Sequence, residues 1–196
     1  MDLFPASALL QPIPLEDAEL SFLEHLDGFG DDVLQRLIAE TAWRADSITL
    51  WGQRHLQPRL SAWYGTAAYR YSGLTLTPLP FTALQLQLKA AVEDVCGQRF
   101  NSVLLNYYRD QHDSMGMHSD DEAELGPAPV IASLSYGAPR TFILKHKRLP
   151  RTVKLALGDG SLLLMAGATQ QHWRHGINKQ TRPCGPRVNL TFRTIS

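Results

Sequence analysis

The segment of this 196-residue chain with the clearest capacity for chemistry is His118-Ser119-Asp120. It follows a turn at Gly116 and precedes the acids Asp121, Glu122 and Glu124. In an extended backbone, residues i and i+2 project to the same side. An imidazole nitrogen of His118 and a carboxylate oxygen of Asp120 can therefore face one metal ion. A second imidazole would complete a two-histidine, one-carboxylate face. That donor set suits non-heme Fe(II) and leaves positions open for a co-substrate and O2. The candidates for the third ligand are His172 and His175, in Gln170-Gln171-His172-Trp173-Arg174-His175-Gly176. Three positions apart, they face opposite sides of an extended segment, and spacing alone does not choose between them. His-x-Asp by itself is a weak signal, equally compatible with a solvated histidine in a surface turn.

A second constellation lies near the C-terminus. Arg187 and Arg193 are an even number of residues apart, so both project from one face of a strand, with Asn189 and Thr191 between them. Val188, Leu190 and Phe192 form the opposite, core-facing side. Two guanidiniums turned into a protein interior are costly unless they meet an anion. A small dicarboxylate fits, because guanidinium forks pair bidentately with carboxylates. The alternative is an edge strand with two solvated arginines.

These residues need elements to position them. The Pro-rich first 14 residues read as irregular, and a helix is predicted from Leu15 through Leu23, its acids complementing the N-terminal dipole. Asp31-Asp32 opens a second helix with Val33, Leu34, Leu37 and Ile38 at helical spacing. A third runs from Phe81 to Gly97, with Leu84, Leu86, Leu88, Ala91 and Val95 as its apolar positions. Between them, Ile48 to Leu79 reads as loops and short strands. From Asn101 onward the pattern is that of strands: Val103–Tyr108, Val130–Tyr136, Thr141–Leu144, Val153–Leu157, Ser161–Met165 and Arg187–Arg193. Gly137-Ala138-Pro139 and Gly158-Asp159-Gly160 read as the turns of two hairpins. Short, closely spaced strands suggest a β-sandwich or jelly roll.

Composition bounds the rest. Hydrophobic residues are 44% and charged residues 19%, ordinary for one globular domain. Two cysteines, Cys96 and Cys184, are too few for a disulfide framework and point to a reducing compartment. The formal net charge of +0 hides an asymmetry. From Arg140 onward there are eleven Lys/Arg against one acid, Asp159, a balance of +10, so the first 139 residues carry −10. Such a split hints at an anionic partner, or else marks two solvated faces. The N-terminus lacks a basic n-region, and no apolar run reaches the roughly 18 residues of a membrane span. The expectation is a monomer without a membrane partner in the cytoplasm, nucleoid-associated if the source is bacterial.

Taken in order, Asn106-x-Tyr108, His118-x-Asp120, His175 and Arg187-x5-Arg193 resemble the AlkB family of Fe(II)- and 2-oxoglutarate-dependent dioxygenases. The likeness is closest to its double-stranded-DNA repair branch. The densest matches are His118–Glu122, Ile131–Gly137, Gly160–Leu163 and Pro186–Arg193. The resemblance implies an α+β fold with a mainly β core, a double-stranded β-helix (jelly roll) with N-terminal supporting helices. It implies one domain over 1–196: an N-terminal extension and helices (1–45), a nucleotide-recognition segment with a supporting helix (46–100), and the catalytic core (101–196). His118, Asp120 and His175 would hold Fe(II). Asn106 and Tyr108 would hydrogen-bond 2-oxoglutarate, Arg187 would support its near carboxylate, and Arg193 would clamp the distal one. With O2 this implies oxidative demethylation of N-alkylated DNA bases, such as 1-methyladenine and 3-methylcytosine, releasing succinate, CO2 and formaldehyde. The expected partner is alkylated duplex DNA. Trp51 sits where the family carries a wedge finger, and Tyr71-Ser72 matches its nucleotide-recognition segment. Glu122 is placed to meet an exocyclic amine, with Asp121 beside it. Arg59, Lys145, Lys147, Arg148 and Arg182 are candidate phosphate contacts. The alternatives are the same chemistry on RNA or protein, or a non-catalytic nucleic-acid-binding jelly roll.

Overall fold

A computed structural model describes residues 10–50, 53–66, 69–71, 74–76 and 78–196. The elements run β1 (Gln11–Ile13), β2 (Glu19–Leu23), α1 (Val33–Glu40), β3 (Ser47–Leu50), β4 (Gln53–Leu56), β5 (Leu60–Gly65), β6 (Tyr69–Tyr71), β7 (Leu74–Leu76) and α2 (Ala83–Cys96). After these come β8 (Ser102–Tyr108), β9 (Met115–His118), β10 (Ile131–Gly137), β11 (Arg140–His146), β12 (Thr152–Leu157), β13 (Leu162–Ala166), α3 (Thr169–His172), β14 (Trp173–Ile177) and β15 (Arg187–Arg193).

Seven strands form the major sheet in the order β1-β2-β13-β10-β15-β8-β5, and four form the minor sheet, β12-β11-β14-β9. The described pairs within both sheets are antiparallel. Two facing antiparallel sheets make the expected jelly roll. The major sheet has two covered faces. On one, Val188, Leu190 and Phe192 pack with Val33 and Leu37 of α1 and Leu84, Leu88 and Val92 of α2. On the other, Tyr108, Ile131, Leu163 and Met165 meet Phe142, Leu144, Trp173 and Ile177 of the minor sheet. Burying apolar area on both faces supplies most of the drive to fold.

Two expected hairpins are not hairpins. β10 pairs with β13 and β15, whereas β11 pairs with β12 and β14. The Gly137-Ala138-Pro139 turn therefore carries the chain from the major to the minor sheet. Gly158-Asp159-Gly160 carries it back. Short glycine turns serve a hairpin and a corner equally well, so the local signal could not separate them. Asp159 ties the two corners together, its Oδ1 accepting from Gly137 N at 2.6 Å. Gly137 has φ +94°, and a Cβ there would run into the Pro186 carbonyl, so only glycine fits.

The helix predicted from Leu15 is also corrected: Glu19–Leu23 is strand β2, paired with β13, and Gln11–Ile13 is strand β1. A nine-residue helix is marginal in isolation. The open edge of β13 offers backbone partners, and Leu20 and Leu23 are absorbed by the two cores on opposite faces. Asp17, with φ +56°, makes the reversal between the two strands. The other helices follow the sequence. In α2, Thr82 Oγ1 accepts from Gln85 N and Gln85 Oε1 accepts from Thr82 N, a capping box, and Gly97 ends the helix at φ +64°. Leu86, predicted apolar-facing, is 51% exposed, and Val92 takes its place in the core.

Glu93 anchors α2 to the sheet. Its buried carboxylate accepts from Phe100 N (2.7 Å), Lys89 Nζ (2.7 Å) and Arg99 Nη1 (2.9 Å). Burial would raise its pKa, but these three donors outweigh it and hold the carboxyl below its ordinary 4.5. A depressed carboxyl stabilises the fold above its unfolded pKa and loses that contribution as pH falls through the folded one. Glu93→Gln should cost about 2 kcal/mol at pH 7, as expected for charge-assisted hydrogen bonds. The difference from wild type should narrow as pH drops below 4.5. Urea denaturation at stepped pH measures both.

Candidate metal and dicarboxylate site

β9 and β14 lie side by side at the edge of the minor sheet, with His118 registered against His175. This pairing brings two imidazoles together from segments far apart in the chain, their ring centroids 4.5 Å apart. Asp120 lies just past β9. His118 Nε2 is 3.6 Å from Asp120 Oδ1, and His175 Nε2 is 3.8 Å from Asp120 Oδ2. A ligand atom of each of the three lies within 4.8 Å of the others. The choice left open by spacing is thereby made: His175, not His172, joins His118 and Asp120.

The donor atoms suit a cation. His118 Nδ1 donates to the Gly116 carbonyl at 2.9 Å, which leaves Nε2 as its ligand atom; burial opposes a charge on this ring, but the Asp120 carboxylate outweighs it and raises its pKa. His175 is buried, and burial together with the neighbouring His118 pushes its pKa down to about 3, keeping it neutral. Burial opposes the charge of Asp120, but the Arg193 guanidinium, then His118 and His175, outweigh it and hold the carboxyl far below the usual range. Arg193 Nη2 donates to Asp120 Oδ1 at 2.9 Å. Asp120 Oδ2 is buried and accepts no hydrogen bond. An ionised, partly unsatisfied carboxylate with the Nε2 atoms of two imidazoles 3.6 and 3.8 Å away fits a divalent metal ion.

A pocket leads away from this triad, walled by Asn106, Tyr108, Ser133, Arg187, Asn189, Thr191 and Arg193. β15 lies between β10 and β8, so it is a central strand and the edge-strand alternative fails. Arg187 is 1% exposed and Arg193 2%. Arg187 Nη2 donates to Ser135 Oγ (2.8 Å), and its Cζ lies 5.1 Å from the Tyr108 ring centroid. Its Nε and Nη1 are buried without a hydrogen-bond partner. Two unmet N–H groups on a buried guanidinium fit a carboxylate. The two arginines take the reverse of the order expected along the pocket. Arg193 stands at the triad, and Arg187 is the guanidinium beside Tyr108.

Other expectations are redistributed. Arg59 is not a phosphate contact: it is 6% exposed, and its Nε donates to Asn106 Oδ1 at 2.9 Å. It follows Gln57-Pro58 into β5, whose pairing with β8 sets Ser61 opposite Asn106 and turns Arg59 inward. Lys147 lies between Gln170 O (2.8 Å) and Asp121 Oδ2 (3.4 Å). Lys145, Arg148 and Arg182 are exposed. Asp121 is exposed, and Glu122 is half-buried at the start of a short 3-10 turn, Ala123–Leu125. Tyr71 is the last residue of β6, while Trp51 and Ser72 lie outside the described residues. Of the eleven cations from Arg140 on, Arg140 is buried along with Arg187 and Arg193.

Sequence reasoning missed several residues that line the pocket or support its wall from behind. Ser133 and Ser135 contact Asn189 and Arg187, and their alternation with Leu134 on β10 was a legible period-2 signal. Arg140 gave no such signal. It lies 5.6 Å over the Tyr108 ring, and its guanidinium donates to the carbonyls of Asp110, Asp113 and Asn178.

A second cluster, Asp17, His146 and His172, also brings three ligand atoms within 4.8 Å. It is a poor cation site. His146 Nδ1 accepts from the backbone N–H groups of Arg148 (3.1 Å) and Leu149 (2.9 Å), so Nε2 carries the proton and donates to Asp17 Oδ2 at 3.2 Å. The two clusters separate experimentally. His175→Ala should weaken Mn(II) binding by about 100-fold or more, whereas His172→Ala should leave it unchanged, in a titration followed by the paramagnetic signal of free Mn(II).

Comparison with known proteins agrees with this geometry. The family model described as "2OG-Fe(II) oxygenase superfamily" matches residues 30–193. The mouse alpha-ketoglutarate-dependent dioxygenase alkB homolog 3 is 43% identical over 84% of this chain and 61% of its own length. The human DNA oxidative demethylase ALKBH2 is 40% identical over 84% of this chain and 68% of its own. The chain thus spans about three-fifths of the alkB homolog 3 proteins it matches. The solved structure of OsALKBH1 superimposes with a TM-score of 0.64 at 15% identity, covering 94% of this chain and 99% of its own. A 2OG-Fe(II) oxygenase-family oxidoreductase from Burkholderia pseudomallei gives 0.58 at 15% identity, covering 89% of this chain and 84% of its own, and both share the jelly-roll fold. With two imidazoles paired across β9 and β14, an ionised Asp120 and an arginine-bearing wall on β15, this chain belongs to the 2OG-Fe(II) oxygenase superfamily, among its AlkB homologues.

Proposed function

We propose that this chain is an Fe(II)- and 2-oxoglutarate-dependent dioxygenase that removes N-alkyl groups, such as those of 1-methyladenine and 3-methylcytosine, from bases in DNA. The supporting observation is one wall with two halves. The triad of His118, Asp120 and His175 stands at one end of a pocket, and the unmet N–H groups of Arg187 stand in the same pocket. A metal chelator with a second carboxylate would use both. Iron held by the triad supplies, with O2 and 2-oxoglutarate, oxidation of the N-alkyl carbon, and the products are succinate, CO2, formaldehyde and the unmodified base.

The protein's own part is binding, orientation and charge. His118 presents Nε2 because Gly116 holds the proton on Nδ1. Asp120 remains ionised because Arg193 occupies one of its oxygens. Arg193, paired with Asp120, would stand at the metal end of a bound co-substrate. Arg187, with Tyr108 and Asn106, would hold its distal carboxylate. Arg59 orients the Asn106 amide by holding its oxygen, which leaves the amide NH2 to donate. The apolar residues Met115, Phe142, Met165 and Ile177 line the same pocket and limit water at the reacting carbon.

DNA as substrate is supported by the similarity to the DNA oxidative demethylase ALKBH2 and by the cationic C-terminal part. A base must leave the stack to reach a buried site. We assign duplex DNA as the preferred form and Trp51 as the wedge that fills the vacated position.

Two measurements test this. With Fe(II) and 2-oxoglutarate, formaldehyde should be released from N-methylated DNA oligonucleotides. No release across methylated DNA and RNA panels by folded protein would defeat the enzymatic reading, and release from RNA alone would move it to RNA. Trp51→Ala should reduce turnover on duplex more than on single-stranded DNA, and equal losses would remove the wedge.

A further inference from the structure

Asp120 lies beyond the hydrogen-bonded ladder. β9 ends at His118, so no strand partner is registered against Asp120. Its buried N–H still needs an acceptor. That acceptor is the side chain of Gln170, whose Oε1 receives the bond at 2.9 Å. Gln170 is 1% exposed and belongs to α3, the turn leading into the strand that carries His175. Its amide has one workable orientation: Oε1 meets the N–H, and Nε2 faces the Met165 sulfur at 3.6 Å. Neighbouring bonds support the same two segments. Ser119 Oγ donates to Trp173 O at 2.9 Å, and Lys147 Nζ, from outside both, bridges them by donating to Gln170 O (2.8 Å) and Asp121 Oδ2 (3.4 Å). α3 is itself anchored, since Thr169 Oγ1 donates to Ala166 O (2.6 Å) and accepts from Glu19 N (2.9 Å).

We propose that Gln170 is a positioning residue for the metal site, its side-chain amide standing in for the missing strand partner of Asp120 and setting that carboxylate against His175. The inference rests on the reading of His118, Asp120 and His175 as metal ligands. The two oxygens of Asp120 have different surroundings: Oδ1 is held by Arg193, and Oδ2 faces His175. Rotation of the Ser119–Asp120 peptide would swing Oδ2 away from the imidazole. Gln170 opposes that rotation from a segment covalently continuous with His175.

The test uses Mn(II) alone, without turnover, on full-length wild type, Gln170→Met and Gln170→Glu. Methionine keeps the length and removes the oxygen acceptor, and glutamate keeps an oxygen at the same reach. Gln170→Met should weaken Mn(II) binding by about 10- to 100-fold, the usual effect of losing a group that orients a ligand. Gln170→Glu should restore most of it. With Mn(II) saturating, the affinity of Gln170→Met for 2-oxoglutarate should match wild type, which a general loss of structure would not allow. Wild-type Mn(II) affinity in Gln170→Met, or equal weakness in both variants, overturns the proposal. If Gln170→Met does not fold, Gln170→Asn, whose shorter side chain cannot span the gap, replaces it, and wild-type affinity there overturns the proposal equally. Failure of the wild type itself to bind Mn(II) would instead remove the metal-site reading on which the inference stands.

Discussion

Asp120 carries a full negative charge where almost no solvent reaches, and the rest of the site depends on that charge. Desolvation alone would neutralise it. The opposing force is Arg193, whose guanidinium meets Oδ1 at 2.9 Å with both groups nearly inaccessible to water. A buried pair of this kind contributes little net stability, because desolvating two ions offsets most of their attraction. Its value here is chemical. It keeps one carboxylate oxygen anionic and aimed at two imidazoles, a state that no solvent-exposed turn would hold in place.

The pair constrains the fold around it. Arg193 can reach Asp120 only because β15 is a central strand whose odd-numbered residues face the minor sheet. The even-numbered residues of the same strand, Val188, Leu190 and Phe192, are buried under α1 and α2. The apolar face fixes the register, since a one-residue slip would drive the arginines into the helix-side core. Helix packing on one side of the sheet therefore determines the polar chemistry on the other. Serines on β10 and the Arg59–Asn106 bond complete the wall by satisfying groups that would otherwise be buried without partners.

Much of this was legible in the residues. Period-2 alternation identified β15 and both of its faces, and helical spacing with a glycine stop identified α2. The pairing of His118 with Asp120 follows from an i, i+2 relation. What local pattern misread has a common cause. β2 carried helix-like residues but was recruited by the open edge of β13. The two glycine turns were taken for hairpins because a turn sequence records a change of direction and not which sheet receives the chain. Arg59 counted as one more cation until the β5–β8 register turned it toward Asn106. The order of Arg187 and Arg193 along the pocket was likewise a matter of which end of β15 lies beside β9.

By itself the sequence determined which donor atoms exist, which of them share a strand face, and that the basic excess gathers beyond Arg140. These are properties of composition and of backbone periodicity, which act over a few residues. Only the tertiary structure decided that His175 rather than His172 faces Asp120, that Arg193 rather than Arg187 holds it, and that Gln170 supplies its missing backbone partner. Each of these joins residues about 50 or more positions apart. Such distances are set by sheet register and by the burial of apolar faces, which no local spacing encodes.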